Sequence, residues 1–511
     1  MPHPREDRSL GASAPHATAP GVCPPPPVVT GSLGALRQAF EDAGFTAEAL
    51  VRTLGPEELA ASPCADFARL LRLTRDASPL NTLIRLFLIG VPVPAAEAEA
   101  AFAPVRLETA LEAGLVNAAG AEVNGAVRIL AFRGLLLACD APGRGGREQV
   151  MGLTSSSVTL ADAAVPRPSR LTLDLGTGCG LLGLLAARHS ARVAATDVSP
   201  RAVAFAAFNA AWNGVSDFAA SAGDCFEPVA GRRFDLILAN PPFAISPSRT
   251  LVYRDSGMAG DSFAERLVRQ APRFLSDGGF AQIMCDCASR SGRDWSERIA
   301  GWVEGSGCDA WVLGLERHAA PEYARNWVRD TEPGTPEDKA RLYNQWLTYL
   351  DGEGVESVTT ALVTLRRSGG KRVRIEEAPE ILGAFGEDIA LGFDLDDYLA
   401  ATDDADLLNA RLLLNPNARL EQELQAEGGR WRVISARIRI ASGMRWAGNV
   451  DGHIAELLAG CDGSRTVFEL AAGLASGAGV TPDRVVPACL EAVRQLVARG
   501  YVRPAELSRR T

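Results

Sequence analysis

The chain has 511 residues, too many for one ordinary hydrophobic core, and about three domains are expected from that length. Apolar residues make up 47% and charged residues 22%, the balance of a globular protein. Lys+Arg 52 against Asp+Glu 62 leave a net charge of −10, which argues against a chain held on nucleic acid by bulk charge but not against a local basic groove. No stretch of about 18 uncharged apolar residues occurs, so no membrane span is expected. The N-terminus has basic residues but no apolar signal core, and a cytoplasmic protein is expected. The ten cysteines are scattered without paired CxxC motifs, and His is scarce. Buried reduced thiols are expected rather than a metal site, with Cys285 and Cys287 on one face of a strand.

Residues 1–30, rich in Pro, Ala and His and containing Pro24-Pro-Pro-Pro27, are expected to be disordered. Residues 31–145 read as a helical, winged-helix-like module. Leu36, Phe40 and Ala43 share a helical face. Short helices follow near 46–53, 56–60 and 65–75, then a buried helix at Asn81–Gly90 and two more at Ala95–Phe102 and Leu107–Ala113. Val127–Cys139 reads as a β-hairpin turning at Arg133-Gly134, and three helices before a hairpin is the order of a winged helix. Residues 141–147 form a linker.

Residues 150–368 read as one domain, in which strands and helices alternate from 170 to about 367, and this predicts a parallel sheet covered on both faces. The expected strands are Leu171–Leu175, Arg192–Asp197, Phe218–Ala222, Phe234–Ala239, Phe280–Cys287, Ala310–Leu315 and Val358–Leu365. Ser199 and Pro200 give a cap and a first position for a helix over 200–213. Residues 317–356 interrupt the series, with Tyr323, Trp327, Trp346 and Tyr349 at helical spacings; they read either as a helical insertion packed on itself or as a cap over a substrate. Residues 370–511 read as a C-terminal α/β module ending in a winged-helix-like segment at 445–505, and the acidic run 376–410 reads as a solvated face.

Two stretches carry the chemistry. Asp174-Leu-Gly-Thr-Gly-Cys-Gly180 reads as a strand entering a glycine turn and a helix, where backbone N–H groups can face a polar ligand. Asp197 ends the next strand, where a carboxylate can accept ribose hydroxyls. Those two features fit either a dinucleotide or an adenosine-containing cofactor. Asn240-Pro-Pro-Phe243 follows another strand: Asn240 offers an acceptor oxygen, the prolines expose carbonyls, and Phe243 can stack on a planar group. Together they can hold a planar –NH₂.

The combination of Asp-x-Gly-x-Gly-x-Gly, a strand-end acid and Asn-Pro-Pro-Phe resembles the class I S-adenosylmethionine-dependent methyltransferases that modify planar nitrogens. Within these, the run Arg254-Asp-Ser-Gly-Met-Ala-Gly-Asp261 is similar to the HemK-like release-factor glutamine methyltransferases. The resemblance covers about residues 150–315. It implies a seven-stranded Rossmann-like sheet, with Asp174 and Gly176 along the methionine portion of S-adenosyl-L-methionine and Gly178 and Gly180 completing the turn. It further implies Asp197 on the ribose, Asp224 (in Gly223-Asp-Cys-Phe-Glu-Pro228) on the adenine amino group, and Ser157 and Thr159 at the methionine carboxylate. Asn240, Pro241, Pro242 and Phe243 would hold the acceptor. Phe243 departs from the Tyr usual in the glutamine enzymes and occurs in related ribosomal-RNA guanine-N2 enzymes. Three functions follow: methylation of a protein glutamine such as that of a release factor, methylation of a nucleic-acid base, or a cofactor-sensing regulator that binds DNA.

Overall fold

The alternation of strands and helices after residue 170 builds one eight-stranded sheet in the computed structural model. The structure describes residues 24–27, 31–55, 67–141, 144–332 and 334–507. The disorder expected for 1–30 and the short helix expected at 56–60 lie outside these residues, apart from 24–27. The chain divides into two units: Met1–Gly152 with Ala207–Gly214 and Thr250–Tyr253, and Leu153–Ala206 with Val215–Arg249 and Arg254–Thr511.

The second unit contains the sheet. Its strands are β1 (Thr172–Leu175), β2 (Val193–Asp197), β3 (Phe218–Ala222), β4 (Phe234–Ala239), β5 (Leu275–Arg290), β6 (Asp309–Ala319), β7 (Val355–Arg366) and β8 (Val373–Glu377). Their order is β3-β2-β1-β4-β5-β7-β6-β8. The neighbours from β3 to β5 pair in parallel, β7 is antiparallel to both β5 and β6, and β8 is parallel to β6. Two expectations are corrected here. The sheet has eight strands, not seven, because Val373–Glu377 adds an outer edge strand beyond β6. It is mixed rather than wholly parallel, because β6 and β7 form a long antiparallel pair.

The six inner strands are buried on both sides, so their sequences read as apolar runs, whereas the edge strands β3 and β8 have no fully buried residue. On one face Ile237, Ile283, Val312 and Val363 pack with Leu267 and Val268 of helix Ser262–Gln270 and with Ile299 and Trp302 of helix Trp295–Val303. On the other, Leu236, Leu238, Met284, Trp311 and Leu362 pack with Leu160 of helix Ser155–Ala163 and with Ile389 and Phe393 of helix Gly386–Ala401. Burying side chains of this size contributes about 1.5–3 kcal/mol each.

The acidic run is a solvated face only in part: Asp397, Asp403, Asp404 and Asp406 are exposed, whereas Asp394 and Asp396 are half-buried on helix Gly386–Ala401. The helix's apolar residues lie at helical spacing and cover the sheet, while Asp394 pairs with Arg167 and Asp397 accepts from Arg366 at 2.8 Å. Acidic residues interleaved with the apolar stripe concealed an amphipathic helix.

Helices Ala320–Thr331 and Pro336–Gly352 lie in the β6–β7 connection, between the carboxyl end of β6 and the start of β7. Farther on, strand Arg411–Leu414 is central between Asp462–Thr466 and Val502–Pro504, and Leu412, Leu457, Leu470, Val493 and Val502 share a core. Strand Asp462–Thr466 separates helices Gly452–Ala459 and Val467–Gly477, so the segment 445–505 is not the uninterrupted helix–helix–helix–strand expected, and its sheet recruits a strand from outside it.

In the first unit, Phe40 contacts Phe87, Phe102 and Trp212. The hairpin Arg128–Phe132 with Leu135–Cys139 turns at Arg133-Gly134, both at positive φ, 48° and 76°. A separate three-stranded sheet pairs Val93–Pro94 with the hairpin Val116–Ala119 and Glu122–Gly125, which the sequence reading did not find.

Candidate active site

The sheet order reverses between β1 and β4, and the carboxyl ends of strands at such a point open a crevice. The register sets Leu175 beside both Ala239 and Thr196, so the chain leaves β1 and β4 side by side. A Cβ on Gly176 would lie 3.9 Å from the Cα of Pro241. The glycine turn and Asn240-Pro-Pro-Phe243, 64 residues apart by their numbering (240 minus 176), are thus neighbours.

Gly176, Gly178 and Gly180 all have left-handed backbones, at φ 72°, 54° and 87°. The Thr196 carbonyl accepts from the N–H groups of Gly176 and Thr177 at 2.8 and 3.0 Å. A side chain at Gly180 would come 3.2 Å from the Cα of Ala206, which lets the following helix pack closely. A Cβ on Gly178 would meet nothing within 4 Å, so the space before the turn is open.

Asp174 is fully buried. One carboxylate oxygen accepts from Thr177 Oγ1 at 2.7 Å and Gly183 N at 2.8 Å; the other is buried without a hydrogen-bond partner. Burial, more than the nearby Asp197 charge, pushes its carboxyl up to about 6. Asp197 accepts from Gly178 N at 3.0 Å and Ser199 N at 2.9 Å, tying the turn to the start of helix Pro200–Trp212. Asp224 is half-buried and accepts from Arg266 Nη2 at 2.7 Å; hydrogen bonding from Cys225 first, and then Arg266, holds its carboxyl below the ordinary value. Its loop begins at Gly223, whose N–H donates to the Asp197 carbonyl at 2.9 Å.

Asn240 donates from Nδ2 to Ser156 Oγ at 3.1 Å, and its carbonyl oxygen is buried with no partner. Pro241 is buried and Pro242 half-buried, while Phe243 is half-buried against the core formed by Leu160, Leu236 and Leu238. The sequence reading took Ser157 and Thr159 from the preceding segment and missed Ser156. Ser157 and Thr154 instead form the reciprocal cap of helix Ser155–Ala163. Thr159 is half-buried three residues beyond Ser156, on the same side of the helix.

A second buried group lies behind the acceptor segment. Tyr323 accepts from Ile245 N at 2.9 Å and donates to Asp286 Oδ2 at 2.6 Å, and Thr360 donates to Asp286 Oδ1 at 2.6 Å. Burial pushes the Asp286 carboxyl up to about 6 and the Tyr323 phenol well above its ordinary value. A lone acid within the apolar run Ile283–Ala288 was the available signal for this group.

The segment 153–288 matches the methyltransferase small domain family. The segments 42–126 and 391–504 match two families that are each described as a domain of unknown function.

Among curated proteins, the release factor glutamine methyltransferase of Cereibacter sphaeroides is 37% identical over 162 residues, 29% of this chain and 56% of that protein. The ribosomal protein uL3 glutamine methyltransferase of Bradyrhizobium diazoefficiens is 36% identical over 135 residues, 24% of this chain and 41% of that protein. Ribosomal RNA small subunit methyltransferase C of Escherichia coli is 34% identical over 137 residues, 26% of this chain and 36% of that protein. The chain spans about half or less of the length of these relatives. Among the described residues no helix is long and apolar enough to cross a membrane, and no three His, Cys, Asp or Glu side chains gather to hold a metal ion.

Proposed function

We propose that the chain transfers a methyl group from S-adenosylmethionine to a planar nitrogen, and that the acceptor is a glutamine side chain of a protein such as a release factor. The observation that carries the reading is the buried, partnerless carbonyl oxygen of Asn240 beside the glycine turn. The residues at the turn fit the cofactor. Asp174 keeps one carboxylate oxygen for a cationic group, Gly176 lies against Pro241, Gly178 leaves open space, Asp197 stands at the ribose end and Asp224 at the adenine end. Gly180 completes the turn and Thr159 borders the methionine carboxylate.

The cofactor, when bound, supplies a methyl group already activated on a sulfonium. The protein's task is therefore in-line positioning rather than acid–base chemistry. Asn240 Oδ1 and the Pro241 carbonyl accept the two hydrogens of the acceptor nitrogen, and Phe243 supports its π face together with Pro242. An amide nitrogen has its lone pair delocalised. Acceptors aimed at its hydrogens favour the positive charge that develops as it attacks, and this stabilises the transition state selectively. Ser156 takes the Asn240 Nδ2 hydrogen and so keeps the amide oxygen turned to the acceptor.

The glutamine acceptor is supported by relatives that carry that activity in their names. A nucleic-acid base is the second reading, favoured by Phe243 and by the ribosomal-RNA relative. A DNA-binding sensor is disfavoured, because a sensor has no need of an acceptor that receives an amine. Tritium transfer from labelled cofactor into extract of cells lacking the enzyme, followed by protease or nuclease digestion, separates the first two. Asn240→Ala is expected to lower incorporation by about 10²-fold or more while cofactor binding persists. Near-normal turnover in that variant would falsify the role given to Asn240.

A further inference from the structure

We propose that the helical insertion Ala320–Gly352 is a brace for the acceptor side of the site, and that Tyr323 is a positioning residue for methyl transfer. The inference rests on the reading of Asn240 as the residue that holds the acceptor nitrogen.

Residues 240–249 and 254–261 contain no helix or strand, so no helical or sheet hydrogen-bond ladder runs through them. The insertion anchors them at three points. Ile245, two residues past Phe243, donates its N–H to Tyr323 Oη at 2.9 Å. Arg254, only 1% exposed at its side chain, donates to Thr331 Oγ1 at 2.5 Å and Glu332 Oε1 at 2.6 Å, with its guanidinium 5.5 Å from the Trp346 ring centroid. Gly260 donates its N–H to Tyr349 Oη at 2.9 Å.

The Tyr323 link reaches back to the rigid sheet. Its hydroxyl donates to Asp286 of β5, which also accepts from Thr360 of β7, and Asp286 and Thr360 are register partners. The side chain of Ile245 is itself buried among Tyr323, Trp346, Leu350 and Val358. A rigid line thus runs from the sheet through Asp286 and Tyr323 to the backbone just after Asn240-Pro-Pro-Phe243. Positioning that depends on this line needs the hydroxyl, whereas packing needs only the ring.

The test uses the full chain with Tyr323→Phe and Asp286→Asn. In Tyr323→Phe, amide exchange over residues 243–249 is expected to rise about tenfold or more. Cofactor affinity by calorimetry stays within about twofold, while labelled methyl incorporation into extract of cells lacking the enzyme falls about tenfold. Asp286→Asn is expected to keep incorporation within about threefold, because its amide oxygen still accepts from Tyr323 and the Thr360 hydroxyl can turn to accept from the new N–H.

Unchanged exchange over 243–249, or incorporation in folded Tyr323→Phe within about twofold of the parent, overturns the brace. So does a parallel loss of cofactor affinity, which marks general unfolding. If Tyr323→Phe does not fold, Tyr349→Phe, which frees only the Gly260 amide, must loosen 258–262 and lower incorporation for the proposal to stand. Inactive Asn240→Ala with fully active Tyr323→Phe removes the brace alone; active Asn240→Ala removes the acceptor reading, and the exchange readout still reports on the brace.

Discussion

Asp174 contributes a carboxylate with one oxygen saturated by Thr177 and Gly183 and the other left open at zero solvent exposure. Removal from water raises its carboxyl to about 6, so an appreciable fraction is neutral in mildly acidic solution. A cationic ligand requires the ionised form. Cofactor affinity should therefore be full well above pH 6 and weaken as pH falls through it, by about tenfold at pH 5 relative to pH 7.5. Calorimetry with S-adenosylmethionine across that range checks this, and Asp174→Asn should bind weakly with little pH dependence. An affinity flat from pH 7.5 to 5 in the parent chain would remove Asp174 from the cofactor site. Asp224 poses a different question, since Arg266 already occupies one of its oxygens. A carboxylate has about four acceptor positions, so one guanidinium hydrogen bond leaves room for an adenine amino group.

The turn between β1 and the helix Leu181–Ala186 depends on glycine for two separable reasons. At Gly180 the backbone is left-handed and a Cβ would meet the Ala206 backbone at 3.2 Å. Gly180→Ala should lower unfolding free energy by about 1–3 kcal/mol, as measured in denaturant. Gly178→Ala meets open space, so it should cost less stability yet weaken cofactor binding, because the methyl enters the crevice. Equal destabilisation by the two with no change in binding would contradict this division. These elements were legible because their signals are local: β4, Phe234–Ala239, and the helix Ala95–Phe102 have the bounds that apolar patterning predicts. Val373–Glu377 was not legible, being a short edge strand with no fully buried residue and hence no apolar run. Ser156, Asp286 and Tyr323 were hidden for another reason. Each acts through a partner 37 to 84 residues away, and no spacing rule reaches that far.

For the molecule as a whole, two buried acids control how stability responds to pH. Asp174 and Asp286 are both raised to about 6 in the folded chain, against about 4 for an unfolded aspartate. Between those values the folded state binds more protons than the unfolded one, so stability falls as pH rises through that interval. Each group accounts for on the order of 1–3 kcal/mol across the window. Asp388, raised by burial, acts in the same direction. Asp309 opposes them, because hydrogen bonds from Arg372, Ser368 and Arg366 outweigh its desolvation and hold its carboxyl well below the ordinary value. Its contribution is present above about pH 4 and is lost only as pH falls below that. The chain without cofactor should therefore be more resistant to denaturant near pH 5 than at pH 7, then weaken sharply in stronger acid. Asp286→Asn removes one titrating group while keeping an acceptor for Tyr323, so it should flatten the pH 5 to 7 slope by that group's share. Saturating cofactor should shrink the slope further, because a bound cation lowers the Asp174 carboxyl back toward its ordinary value. A parent chain that gains stability steadily from pH 5 to 7, with Asp286→Asn following the same line, would mean that neither acid is held in the desolvated environment these contacts describe.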